Sequence, residues 1–344
     1  MRCGIGVDVG RVEGGAETRH RETEYNLVDG AAVHTRDSRS SQPACSVKPA
    51  RPHLRPLPKL AAAAAGLALL LAACKGEIPA GPPPHTSLVA AGDIAGCWWR
   101  SDGATARLLD HIGGVVAPLG DNVYSDGTAA QFARCYGPTW GRHRARTRPA
   151  IGNHDMRTDE GGPYYDYFGA AAGPRGKGWY SYALEGWHVV VLNSEIGITA
   201  NSEQVAWLRE DLRTHPARCT LALMHRPRFS SGKHGDSERV KEAFRVLYEG
   251  GVDVLLSGHD HSYERFAPQD PDGRRDTARG VRQFVVGTGG APFYGFRKEL
   301  RPNSEVHQNR MHGVLRLAFH PDGYDWEFVG IGEGFHDEGH GDCH

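Results

Sequence analysis

Five short blocks punctuate this chain in the order Gly92-Asp93, Gly120-Asp121-Asn122-Val123-Tyr124, Gly152-Asn153-His154-Asp155, Met224-His225 and Gly258-His259-Asp260-His261. Apolar runs at 88–91, 115–119, 221–224 and 254–256 each stop at one of them. That pattern constrains the fold, because open α/β sheets place their ligands at the carboxyl ends of strands. A glycine just before the polar residue lets the backbone turn sharply there. The blocks together offer carboxylate, phenolate, amide and imidazole, the donors that two adjacent hard-to-borderline cations require.

The bulk numbers exclude some classes. With 344 residues and 39% hydrophobic residues, the chain can bury one large core or two small ones. Its net charge of −1 argues against a nucleic-acid binder, which needs a clustered basic excess to neutralise phosphates.

The first 73 residues differ from the rest. Residues 1–59 show little hydrophobic periodicity, and residues 60–73 are an uninterrupted apolar run that ends at Cys74. The run is too short to cross a bilayer as a helix. It suits the apolar region of a secretory signal, with Arg51, Arg55 and Lys59 as its basic flank. Its end, Leu71-Ala72-Ala73-Cys74, resembles the lipobox of bacterial lipoproteins, in which the cysteine is lipidated after cleavage. Residues 1–73 are therefore expected to be removed, 74–86 to form a tether, and 87–344 to form one domain. The protein is expected to be exported to the periplasm or cell surface, meeting the membrane only through Cys74. Seven cysteines are present, and four lie beyond Cys74: Cys97, Cys135, Cys219 and Cys343. An even number suits two disulfides in an oxidising compartment. The favoured pairing is Cys97–Cys135 with Cys219–Cys343.

Strands alternate with helices early, and hairpins dominate late. Strands are expected at 87–91, 114–119, 179–184, 187–192, 220–224, 252–256, 283–286, 313–320 and 324–329. Helices are expected at 103–112, 201–215 and 237–249, the second opened by an Asn201/Gln204 capping box and stopped by Pro216. Two mixed sheets packed face to face with helices on both outsides, a four-layer α-β-β-α sandwich, accommodate this order. Among the remaining histidines, His188 reads as a satisfied strand residue, and His336, His340 and His344 as a solvated tail. Gly287-Thr288-Gly289-Gly290 reads as a tight turn near the site. Tyr164–Phe168 and Trp98-Trp99 either line a cleft or pack.

The ordered series resembles the calcineurin-like metallophosphoesterases. Tyr124 narrows the resemblance to the purple acid phosphatase-like branch, which carries Gly-Asp, Gly-Asp-x-x-Tyr, Gly-Asn-His-Asp/Glu, a lone His and Gly-His-x-His. The stretches His225–Gly232 and His261–Phe266 also look like bacterial members. The resemblance implies two metal positions. Asp93, Tyr124 and His261 would serve one, Asn153, His225 and His259 the other, and Asp121 would bridge them. The anionic first set suits Fe³⁺, and the second suits Zn²⁺, Mn²⁺ or Fe²⁺. His154, its ring held by Asp155, and His234 would be the acid or phosphate-contacting groups. Arg226 would contact phosphate or pair with a carboxylate. Ala95 stands where many relatives outside the branch carry a ligating His, and the branch itself more often has Gly there.

The implied activity is hydrolysis of a small phosphate monoester by a terminal or bridging metal-activated hydroxide at a dinuclear centre. A phosphodiesterase or nucleotidase is the alternative with the same site. A non-catalytic surface binding protein is the alternative from another class, and it predicts a lost ligand, whereas all seven are present.

Overall fold

Apolar runs closed off by glycine build the centre of the molecule. In the computed structural model, which describes residues 87–344, β1 (Ser87–Ala91) is buried along its whole length. It leads past Asp93 to helix α1 (Ser101–His111). β2 (Val115–Pro118) pairs parallel with β1. Next come a single turn α2 (Ala129–Gln131), capped reciprocally by Thr128 and Gln131, and the short helix α3 (Gly162–Phe168). β3 (Tyr180–Leu184) and β4 (Trp187–Val191) form a hairpin. Then α4 (Glu203–Thr214), β5 (Thr220–Leu223), α5 (Lys241–Glu249) and β6 (Val254–Ser257) alternate. The chain ends in strands: β7 (Tyr263–Phe266), β8 (Arg282–Val286), β9 (Ser304–Gln308), β10 (Gly313–Phe319), β11 (Gly323–Gly330) and β12 (Glu338–Asp342).

These strands make a five-stranded sheet, β12-β11-β10-β1-β2, and a seven-stranded sheet, β3-β4-β5-β6-β8-β7-β9. Leu88 and Ala90 lie opposite Leu317 and Leu315 across β1 and β10, and Trp326 and Phe328 oppose the same two leucines on β11. The two-residue period of a strand turns all of these to one face. That face meets the other sheet through Trp187 on Phe319 and Tyr263 on Phe328, each with ring centroids 4.7 Å apart. The outer face of the seven-stranded sheet packs Val190, Ala222 and Leu255 against Val205 and Leu208 of α4 and Phe244 of α5. Helix α1 lies against β10 of the five-stranded sheet. Two mixed sheets with helices outside match the expected layering.

Both disulfides form as favoured, Cys97–Cys135 and Cys219–Cys343. Three local expectations are corrected. Helix α4 is capped by Ser202, whose Oγ accepts from Val205 N, while Gln204 turns inward and bonds both backbone groups of Asn193. The region 237–249 opens with a 3₁₀ turn at Glu238–Val240 before α5 begins. The tail with His336, His340 and His344 is not merely solvated, because 338–342 adds β12 to the sheet edge beside β11. The proposed signal, Cys74 and the tether lie outside the described residues. Among the described residues, no helix is long and apolar enough to cross a membrane.

Candidate metal centre

The parallel strands deliver their polar ends to one place. Asp93 follows β1, Asp121 follows β2, His225 follows β5, and His259 and His261 follow β6. Asn153 follows a parallel bridge between Leu119 and Ala150. Asp93, Asp121 and His259 hold φ of 60°, 48° and 71°, left-handed values that few non-glycine residues adopt and that cluster at functional sites. Close approach is enforced at Gly120, where an added Cβ would lie 2.6 Å from the His225 ring.

All seven side chains singled out in the sequence converge. Tyr124 Oη lies 2.8 Å from Asp93 Oδ1, 3.1 Å from Asp121 Oδ2 and 3.0 Å from His261 Nε2. His225 Nε2 sits 3.1 Å from Asn153 Oδ1, 3.2 Å from His259 Nδ1 and 3.4 Å from Asp121 Oδ2. Asp121 thus touches both groups. Each carboxylate has one oxygen pinned and one turned inward: Asp93 Oδ2 accepts from His259 N, and Asp121 Oδ1 accepts from His154 N, both at 2.8 Å. The imidazoles are oriented the same way. His225 Nδ1 faces the Leu119 carbonyl at 2.8 Å and His261 Nδ1 the Pro292 carbonyl at 2.7 Å, which leaves each Nε2 for the centre. Such carbonyl partners fix ring tautomers in metal sites.

The electrostatics fit a cation. Burial and the charges of Asp121 and Asp93 push the Tyr124 phenol well above its ordinary value. Burial alone would lower the His225 imidazole, but Asp121 outweighs it and raises the group to about 10. Burial likewise works against an ionised Asp121, and the His225 charge overcomes it to hold that carboxyl far below its usual range. A proton on His225 therefore offsets the Asp121 charge, and the neutral Tyr124 hydroxyl adds no further negative charge; a polyvalent cation can replace both protons. The buried donors Asp93, Asp121 and His225 lie close enough together to share one ion.

His154 and His234 border this cluster. His154 Nε2 is 3.9 Å from Asp121 Oδ2, and its ring stands 4.4 Å from that of Tyr124. The expectation that Asp155 orients this ring is corrected: the Ser125 carbonyl does so, 2.5 Å from Nδ1. Asp155 is buried and accepts instead from the backbone N–H groups of Asn122 and Gly152 and from Asn122 Nδ2. It ties the second block to the third. The exposed His234 stacks on His259 with centroids 4.3 Å apart. Arg226 pairs with Glu195 at 2.9 Å and donates to His259 Nε2 at 2.8 Å.

Sequence reasoning missed two contributors, Asp260 and Tyr294, and read a third, the turn at Gly287, correctly. Asp260, the unassigned residue between His259 and His261, accepts from His234 N at 2.8 Å and from Ser230 Oγ, so it holds the His234 loop. Tyr294 lies parallel on His261, 3.9 Å away, and carries no motif that marks it. Gly287 does turn beside the site, where a Cβ would lie 2.8 Å from Asp93 Oδ2.

Fold and donor set together define a metallophosphoesterase-type domain. Residues 86–263, just over half of the chain, match the family model described as calcineurin-like phosphoesterase, and the chain belongs to that family. It is 33% identical over 152 residues to purple acid phosphatase 21 of Arabidopsis thaliana, covering 41% of this chain and 34% of that protein. It is 38% identical over 91 residues to an acid phosphatase of Aspergillus ficuum, covering 25% of this chain and 15% of that protein. The chain thus spans about a third or less of the length of these two relatives. A purple acid phosphatase from yellow lupin (Lupinus luteus) seeds superposes with a TM-score of 0.60 at 20% identity, over 74% of this chain and 53% of that one. GAP50, the anchor in the inner membrane complex of Plasmodium, superposes at 0.56 with 12% identity, over 74% of this chain and 88% of that one. The fold therefore serves a phosphatase and an anchor alike, and function has to be argued from the site.

Proposed function

We propose that the protein hydrolyses small phosphate monoesters at a dinuclear metal centre. The observation that carries this reading is the Tyr124 phenol, which stands within 3.1 Å of Asp93, Asp121 and His261. Asp93, Tyr124 and His261 would hold Fe³⁺, Asn153, His225 and His259 would hold Zn²⁺, Mn²⁺ or Fe²⁺, and Asp121 would bridge. Two such cations supply Lewis acidity at phosphorus and make water acidic enough to attack near neutral pH.

The chain's own groups do the rest. The Ser125 carbonyl accepts from His154 Nδ1, so Nε2 faces the centre, where the imidazolium form would give its Nε2 proton to phosphate oxygen or to the departing alkoxide. His234, on the exposed side of His259, is the second proton donor. Arg226 is occupied by Glu195, which supports a positioning role for it rather than a phosphate contact. Export and lipidation at Cys74 belong to the same proposal. Two disulfides among the described residues support an oxidising compartment.

The test is turnover of an aryl phosphate monoester and its matching diester, with iron and divalent metal measured on the same sample. Monoester turnover with about one iron and at least one divalent ion per chain is the expected result. Diester-dominant turnover would move the protein to the phosphodiesterases. Full metal loading with no turnover of either ester would favour a binding module.

A further inference from the structure

We propose that His188, Asp211 and His215 form a second cation site suited to Zn²⁺, remote from the centre described above. His188 is the second residue of β4 and lies opposite Thr220, the first residue of β5. His225 follows the other end of β5. The strand between them separates the two places by about 16 Å.

Asp211 and His215 stand four residues apart at the end of α4, so both side chains project from one helical face. That face meets His188. Its Nε2 lies 2.7 Å from Asp211 Oδ2, and His215 Nδ1 lies 3.2 Å from Asp211 Oδ1. The two imidazoles stack with centroids 5.2 Å apart and planes 15° from parallel. Donor atoms of the three residues all fall within 4.8 Å of one another. Zn–N and Zn–O bonds of about 2.0–2.1 Å give a tetrahedral edge of roughly 3.3 Å, so small shifts seat an ion between them.

Two further features point the same way. The Asp211 side chain is 4% exposed, and two imidazoles and the Ser181 hydroxyl, which donates to Oδ1 at 2.6 Å, surround its carboxylate. A buried carboxylate braced by a hydroxyl and flanked by imidazoles is a common plan for a zinc ligand. A cavity of about 440 Å³, lined in part by Ser181, His188, Thr214 and His215, opens over the group and leaves room for water as a fourth ligand. His215 Nδ1 also faces the Asp211 carbonyl at 3.0 Å. Binding therefore moves the His215 proton to Nε2, on a side chain that is 58% exposed and can be hydrated. The ion would clamp the end of α4 to the β3–β4 hairpin.

The test strips the full chain with a chelator, reloads it with Zn²⁺ or Co²⁺, and compares wild type with His215→Ala. The variant is expected to hold about one ion fewer per chain and to lose a tetrahedral Co²⁺ absorption component. Asp211→Asn, which keeps the side-chain shape, should lose the same ion and covers the case in which His215→Ala folds poorly. His225→Ala should keep the component that His215→Ala loses. Equal metal content in wild type and folded His215→Ala overturns the site, as does loss of that component in His225→Ala. Because the count is a difference between variants, it stands whatever number of ions the main centre holds.

Discussion

Tyr124, in the second block, and Asp155, in the third, do different work at the centre. Tyr124 Oη is shared among three side chains, while its ring packs edge-on to Trp99 with centroids 5.4 Å apart. Tyr124→Phe therefore keeps the packing and removes the oxygen. The expected outcome is metal affinity at that position at least about 10-fold weaker, with loss of any phenolate-to-iron absorption. A visible band that survives the substitution would remove Tyr124 from the ligand set. Asp155 gathers donors from Gly152 and Asn122, so Asp155→Asn sets an amide N–H₂ against N–H groups. We expect the metal-free protein to lose about 1–3 kcal/mol in urea unfolding. Chelator competition should show metal held about 10–100-fold more weakly. A fold of unchanged stability with intact metal retention would show that the loop needs no acceptor there.

At the scale of elements, legibility followed apolar pattern. β1, β5 and β6 are continuous apolar runs, and α4 shows an apolar stripe, so each was readable to within a residue or two. β9 reads Ser-Glu-Val-His-Gln and β12 Glu-Gly-His-Gly-Asp. Both are polar sheet-edge strands held by backbone pairing, and no hydrophobic alternation announces them. The ligand blocks were legible because glycine and a polar donor end buried strands. The positions that orient the donors were not, since Leu119 and Pro292 act through carbonyls that every residue owns. Asp260 was hidden inside a motif read only for its histidines. α4 offers a control on this separation of fold from site. Leu208 is fully buried beneath it, in the same outer core as Phe244 of α5. Leu208→Ala should cost about 2–5 kcal/mol in denaturant unfolding. Metal content of the folded fraction should stay unchanged, and a parallel loss of metal would tie this layer to the centre.

Across the whole molecule, the end of the chain fastens one sheet to the other. Cys343, just past β12 of the five-stranded sheet, joins Cys219, just before β5 of the seven-stranded sheet, across 124 residues of sequence. Replacing both cysteines by serine should remove about 2–5 kcal/mol of stability. Hydrogen exchange should quicken first at 338–342, because polar β12 has little apolar burial to hold it. His344 adds a pH-dependent fastening beside this bond. Its backbone N and its Nδ1 reach Asp253 Oδ1 at 2.8 and 2.6 Å, while Asp253 Oδ2 accepts from Thr220 N at the start of β5. The hydrogen bond to Asp253 raises the His344 imidazole above its ordinary value of 6.5, against the opposing effect of partial burial. A group raised on folding stabilises fully below its unfolded value, and that contribution disappears as pH climbs through the folded one. The side chain is 23% exposed, so the effect is modest, about 1 kcal/mol or less. His344→Ala should therefore melt below wild type at about pH 5.5, and the gap should narrow to the plain hydrogen-bond loss by about pH 9. A melting difference that stays constant across that range would mean Asp253 receives a neutral ring, and that the tail is held by the disulfide and backbone pairing alone.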